Sequence, residues 1–261
     1  MTTADRGVAQ GLAQLIDRYS LSAEHGRRFH RLLELLREEV APTSVREPRT
    51  AIDVHLADSL TALDLDLPEG PQNVVDIGSG AGFPGLPLAI SRPHWSVSLL
   101  ESQSRKCRFI DRAIQATNTE NARVIRARAE EWEQGMRSQD LALVRAVCTQ
   151  PVALEYAAPL LRVGGLVLDW RARLGPDEES DATAAARLLG LVRERVVPVA
   201  PFADARHRHL HVYSKARHTP PRFPRRAGIA IKRPLKADTA RKSFAAEPSS
   251  ERVTTSDRDQ R

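Results

Sequence analysis

Apolar positions along this chain follow two different periods, and the change from one to the other falls near residue 70. Before it the spacing is helical. Leu12, Leu15, Ile16 and Tyr19 mark one helix, and Phe29, Leu32, Leu33, Leu36 and Val40 mark a second. Ser22 is placed to cap that second helix and Pro42 to end it. Ile52, His55, Leu56 and Leu60 mark a third, whose polar members His55, Asp58 and Ser59 fall either on a solvated face or along a cleft. From Asn73 short apolar runs take over, bounded by turn residues. They predict strands over 73–77, 97–101, 122–126, 141–144, 164–168, 196–199 and 209–213. Helical patterns fill 84–91, 104–116, 151–161 and 177–189. Repeated βα units predict an α/β fold with a parallel, doubly wound sheet, ligands at the carboxyl ends of its strands, and a final antiparallel pair.

The chain accordingly divides into N-terminal helices (1–70), an α/β core (71–215) and an extension (216–261) that is Ser/Thr- and charge-rich beyond Glu247 and expected to be partly disordered. With 261 residues, 41% of them hydrophobic, the core can be substantial. No run approaches the roughly 18 apolar residues of a membrane span, and no signal-peptide pattern opens the chain. Two cysteines, Cys107 and Cys148, make no disulfide framework, so a cytoplasmic protein is expected. No Cys/His cluster has zinc spacing, and His207, His209 and His211 alternate as on a strand, expected to face water. The net charge of +6 is concentrated: residues 215–242 hold ten Lys or Arg against one acid, Asp238. A mildly acidic body with one basic extension points to a polyanionic partner.

The chemistry centres on Asn73-Val-Val-Asp-Ile-Gly-Ser-Gly-Ala-Gly-Phe-Pro-Gly85, a strand that breaks into glycines and restarts as a helix near Pro84. That is the form of a loop for a nucleotide-type cofactor. Gly80-Ala-Gly82-Phe-Pro-Gly85 satisfies the dinucleotide pattern, a weak signal alone. Asp76, however, ends the strand where a pyrophosphate on the helix N-terminus would meet a carboxylate. S-adenosylmethionine has no phosphate and carries an ammonium and a sulfonium, so the acid favours it. Glu101 ends the next strand, placed for ribose hydroxyls.

Asp76-Ile-Gly-Ser-Gly-Ala-Gly-Phe-Pro-Gly-Leu-Pro-Leu-Ala-Ile90, with Thr43-Ser-Val-Arg-Glu-Pro48, His55-Leu-Ala-Asp-Ser59, Arg128-Ala-Glu130, Val144-Arg-Ala-Val147, Arg208-His-Leu210 and Lys232-Arg-Pro-Leu235, resembles the ribosomal small-subunit methyltransferase G family, also called glucose-inhibited division protein B. The resemblance runs over roughly residues 21–236. It implies a class I S-adenosylmethionine-dependent methyltransferase fold, Rossmann-like, with an N-terminal helical cap. It also implies methyl transfer to N7 of a guanine in 16S rRNA, with that RNA or the small ribosomal subunit as partner and a monomeric enzyme. Carried over by position, the cofactor contacts are Gly78, Phe83, Ala129, Glu130 and Arg145. Asp76, Gly80 and Glu101 join them on the strand-end argument above. Arg145 follows the fourth strand, beside the donor methyl and the incoming base, and is the candidate catalytic residue. The sequence departs from the family where a Leu-Lys-Gly is usual and Leu168-Asp-Trp-Arg171 stands instead, with Arg171 a candidate substitute for the Lys. A diverged methyltransferase with another RNA target, or a non-catalytic RNA-binding protein, is the alternative this leaves. No Asn-Pro-Pro-Tyr follows the fourth strand, and Cys148 reads as an ordinary buried thiol.

Overall fold

The structure, a computed structural model, describes residues 3–238 apart from 39, 69, 204 and 206. Arg241, Lys242 and the Ser/Thr-rich end, read above as a disordered tail, lie outside the described residues.

Helices α1 (Thr3–Arg18) and α2 (Ala23–Leu36) bury Leu12, Leu15, Phe29, Leu32, Leu33 and Leu36, as their spacing requires. Ser22 is the N-cap of α2, and its backbone N–H donates to His25 Nδ1 at 2.9 Å, a histidine standing where a capping box usually has an acid. The helix ends at Leu36 rather than at Pro42. Its last turn tightens, the Arg37 and Glu38 N–H groups donating to carbonyls three residues back. That swings the chain off the helical cylinder, so Val40 is 47% exposed and Ala41 takes the buried place. The third apolar set folds as α3 (Pro48–Ala51), a π-helical turn (Ile52–Ala57) and α4 (Asp58–Leu60), and a 3-10 turn (Thr61–Asp64) follows. Glu47 opens it, accepting from the N–H groups of Arg49 at 2.8 Å and Thr50 at 2.6 Å.

The strands β1 (Asn73–Ile77), β2 (Ser96–Glu101), β3 (Ala122–Arg126), β4 (Gln139–Arg145), β5 (Leu161–Ala172), β6 (Leu191–Pro198) and β7 (Arg208–Lys215) form one sheet, ordered β3-β2-β1-β4-β5-β7-β6. The first five run parallel; β7 enters antiparallel between β5 and β6. Several strands outrun their predicted lengths because flanking residues such as Gln139 and Arg193 look like loop by polarity yet pair through their backbones. Side chains alternate between two cores. Val74, Leu99 and Leu143 pack with α5 (Gly85–Ser91), α6 (Ser104–Thr117) and the N-terminal helices. Val75, Leu100 and Val144 pack with α7 (Gln150–Ala157) and α8 (Pro176–Leu189).

Two expectations change here. His211 is fully buried, with neither ring nitrogen bonded, because β7 is an interior strand covered on both faces and not the edge of a terminal hairpin. Lys215, counted above in the basic extension, is 2% exposed, its Nζ donating to the Leu189 carbonyl at 2.8 Å and to the Thr219 hydroxyl. Burial lowers its pKa to about 7. Beyond it the chain packs back as a strap: Phe223, Ala230 and Leu235 share the core of α7 and α8. Arg225 grips the buried Glu155 carboxylate, its Nε donating at 2.7 Å, and the Gly228 N–H donates to Glu130 Oε1 at 3.0 Å. Lys215 and Arg225 are therefore committed inside the protein and not offered to a polyanion.

The Lys215 site has a measurable consequence. Between about 7 and the ordinary 10.5 the unfolded chain binds a proton there that the folded chain has released, so this group makes stability rise with pH across that interval. Urea unfolding followed over that range is expected to show a steeper rise for the parent than for Lys215→Met. Equal slopes would mean that the amine is not desolvated.

Candidate active site

The carboxyl ends of β1, β2, β4 and β5 align on one edge of the sheet, with Arg145 opposite Trp170 in register. At that edge β1 turns into the glycine loop. The Gly78 N–H donates to the Leu100 carbonyl at 2.8 Å, which holds the loop over the end of β2. Gly78 has a φ of +71°, and a Cβ there would stand 2.9 Å from Val147 Cγ2. At Gly85 a Cβ would come within 2.8 Å of the Asp76 side chain, so only glycine lets α5 begin above that acid.

Asp76 lies beneath the loop, fully buried. Its Oδ2 accepts from the Gly85 N–H at 2.9 Å, while Oδ1 has no partner among the described residues. Burial raises its pKa to about 6. Glu101 stands at the end of β2, its Oε2 accepting from the Gly80 N–H at 3.2 Å and its Oε1 from the Gln103 N–H at 2.9 Å. Phe83 is the wall of the loop on the side of the N-terminal helices, stacked on His55 with ring centroids 4.5 Å apart. Ala129 and Glu130 form a 3-10 turn after β3; Ala129 is buried, and the Glu130 carboxylate is held by the strap.

Arg145 is not a surface residue. Its Nη1 donates to Asp58 Oδ2 at 3.0 Å, with the Ser59 hydroxyl and the Val54 carbonyl each at 3.4 Å, and its guanidinium lies 5.7 Å from the Phe83 ring centre. Of the two readings of His55, Asp58 and Ser59, the solvated face does not hold, since all three are buried against the strand ends. Asp58 also receives Arg208 Nη1, at 3.3 Å, from the start of β7. Polarity alone gave no signal for Arg208, although the short Arg208-His-Leu210 motif marked its position.

The residues that depart from the family pattern form a joint. The Trp170 indole donates to the Asp58 carbonyl at 2.8 Å and meets the Thr61 hydroxyl at 3.0 Å. Asp169 is buried and accepts from Gln150 Nε2 at 2.9 Å and Arg171 Nε at 2.8 Å. Arg171 is turned back onto Asp169 and the Cys148 carbonyl, so it does not stand free as a substitute for a lysine. Burial pushes the Cys148 thiol up to about 12, which removes it as a nucleophile at neutral pH. No group of three His, Cys, Asp or Glu suited to a metal occurs among the described residues.

An unpartnered buried carboxylate oxygen, a second acid at the next strand end and a loop that no side chain fills suit a cationic nucleoside better than a pyrophosphate. With the strand order above, they define an S-adenosylmethionine-dependent methyltransferase of class I. A chain in the solved complex of the Haloferax volcanii Trm112 methyltransferase activator has the same fold, with a TM-score of 0.50 at 15% identity over 65% of this chain and 93% of that one. A family model described as rRNA small subunit methyltransferase G matches residues 23–210. Among similar proteins, ribosomal RNA small subunit methyltransferase G of Deinococcus radiodurans is 38% identical over 82% of this chain and 87% of its own length. That of Nostoc punctiforme is 35% identical over 79% and 89%. This chain belongs to the rRNA small subunit methyltransferase G family, and its cofactor is S-adenosylmethionine.

Trp170→Phe is expected to destabilise the protein by about 1–3 kcal/mol, since it strips the donor from two buried acceptors while keeping most of the apolar volume. An unchanged urea midpoint would show that the indole hydrogen bonds contribute nothing net.

Proposed function

We propose that this protein transfers a methyl group from S-adenosylmethionine to N7 of a guanine in 16S rRNA, within the small ribosomal subunit and as a cytoplasmic monomer. No helix among the described residues is long and apolar enough to cross a membrane, which agrees with that setting. In this reading residues 1–70 are a helical cap, 71–215 hold the cofactor and 216–261 are an extension for RNA. Gly78 and Asp76 would hold the methionine end of the cofactor, Gly80 and Glu101 the ribose, Ala129 and Glu130 the adenine edge, and Phe83 would close the loop. Bound there, S-adenosylmethionine supplies an electrophilic methyl on a sulfonium.

The observation that carries the choice of acceptor atom is that the proton acceptors beside Arg145 at the reacting edge are weak or already committed, Asp58 to Arg145 itself and to Arg208. Burial lowers the pKa of His55 to about 4, which makes it a weak base, and its Nε2 is on the Thr43 hydroxyl at 3.0 Å. Asp76 lies beneath the loop, where in this reading its free oxygen is taken by the methionine end of the cofactor, and the Cys148 thiol stays protonated. Guanine N7 has an in-plane lone pair and no proton, so it needs neither a general base nor a covalent nucleophile. Rate must then come from in-line positioning and electrostatics. Arg145 can only donate, and would orient the base through its oxygen or a phosphate.

Ribosomal subunits from cells lacking this protein are expected to accept tritium from labelled cofactor and then to break at a single guanine after mild reduction and aniline treatment. Arg145→Ala should lose most of the transfer rate while leaving a measurable remainder, and Cys148→Ala should keep most of it. Incorporation without strand cleavage would mean another acceptor atom. The cofactor site has its own test. Protonation of Asp76 removes its attraction for a cation, so affinity for S-adenosylmethionine should strengthen as pH rises through about 6. Asp76→Asn should lose that dependence in calorimetric titrations. A parent affinity flat across this range would place the ligand's charges away from Asp76.

A further inference from the structure

Asp58 comes from the cap and meets Arg145 across the junction with the sheet. Its carboxylate is 1% exposed and accepts from two cations, Arg145 at 3.0 Å and Arg208 at 3.3 Å. Its backbone is fixed independently, because its carbonyl is the acceptor of the Trp170 indole at 2.8 Å. The π-helical turn just before it matters too. There N–H groups reach back one residue further than in an α-helix, which frees a carbonyl for an outside donor, and the Val54 carbonyl takes Arg145 Nη1 at 3.4 Å. Asp58, Ser59 and Val54 therefore all hold one nitrogen of the guanidinium. The structure shows no hydrogen bond from Nη2 or Nε to any described residue, and the group lies over Phe83.

We infer that Asp58 is a positioning residue for methyl transfer: it clamps the Nη1 corner of Arg145 so that the remaining donors of the fork point at the substrate. The inference rests on the role proposed above for Arg145. A planar guanidinium held at one corner has its other two donor nitrogens fixed in direction, and one freed from Asp58 rotates about its side-chain torsions. Arg208 reaches the same carboxylate from β7, its Nη1 3.3 Å from Oδ1 and 3.4 Å from Oδ2, so the buried acid is shared between two cations and Arg145 holds the shorter contact. Asp58 does not touch the substrate in this scheme. It acts through Arg145 and carries the position of the cap to the reacting edge.

The test is a double-mutant cycle on turnover with ribosomal subunits, comparing Asp58→Asn, Arg145→Ala and the two together, with cofactor affinity measured alongside. Asp58→Asn is expected to lower kcat by about 10²-fold, the cost of a misplaced group of this kind, while cofactor affinity stays at the parent value. The double variant should be no slower than Arg145→Ala alone, because both changes remove one interaction. Additive losses would overturn the inference, since Asp58 would then act on something else. Full turnover in Asp58→Asn with most of it lost in Arg145→Ala would overturn it too, and leave Arg145 its role. Full turnover in Arg145→Ala would mean that the reading of Arg145 itself is wrong. The clamp can also be read without any change at Asp58. Nitrogen-15 NMR of arginine side chains, with the Arg145 signals assigned by their loss in Arg145→Lys, is expected to show slow solvent exchange and restricted rotation at Arg145. Exchange as fast as that of exposed arginines would overturn the clamp even if Asp58→Asn fails to fold.

Discussion

A carboxylate buried in an apolar junction has to be matched by cations and donors, and at the seam between helices and sheet Asp58 meets Arg145 and Arg208 together. Arg145 lies at the end of β4 and Arg208 at the start of β7, two strands separated in the sheet by β5. Trp170, from that intervening strand, holds the Asp58 carbonyl. Three strands are thus tied to a single residue of the N-terminal region. Buried ion pairs add little net stability, because desolvation consumes most of the attraction, but breaking one costs about 3–5 kcal/mol. Such a joint fixes geometry more than it adds to stability.

The cofactor loop depends on that geometry. Phe83 packs on His55, three residues before Asp58, so one short helical stretch presents both residues to the same edge. Beneath the loop, Asp76 leaves no room for a side chain at residue 85 and uses its backbone N–H to start α5. His55 of the N-terminal helices stacks on Phe83 of the loop, and the acids stand at the ends of β1 and β2. Arg145 stands where helices and loop meet. On the other face of the sheet the strap reaches the same functional edge through Glu130, whose carboxylate holds the Gly228 N–H.

The departure at Asp169-Trp170-Arg171 has a physical explanation in this arrangement. Asp169 and Trp170 point to opposite faces of β5, as adjacent strand residues must. One enters the network of Gln150, Arg171 and Tyr213, and the other bonds Asp58 and Thr61. These are well-satisfied buried polar groups, and they bind the protein to itself.

Much of this was legible in the sequence because it depends on local pattern. The periods of apolar residues give the strands and helices, with β3 matching over 122–126, and the glycines after Val75-Asp-Ile77 mark a cofactor loop because glycine adopts a run of positive φ at no steric cost. The family was legible for the same reason: its motifs are short runs of adjacent residues. Contacts between residues far apart in the chain were not. Lys215 and Arg225 look like tail cations until the packing of the strap commits one to a carbonyl and the other to Glu155. His211 looks like a strand residue facing water until β6 closes the far side of its strand. Asp58 looks like a helix-surface acid, and its two arginines lie 87 and 150 residues away along the chain. The sequence by itself determined the elements, the loop and the cofactor, because spacing and backbone freedom are local properties. Only the tertiary structure decided which charges are used up inside the protein, because burial and pairing are settled by distant residues meeting across the sheet.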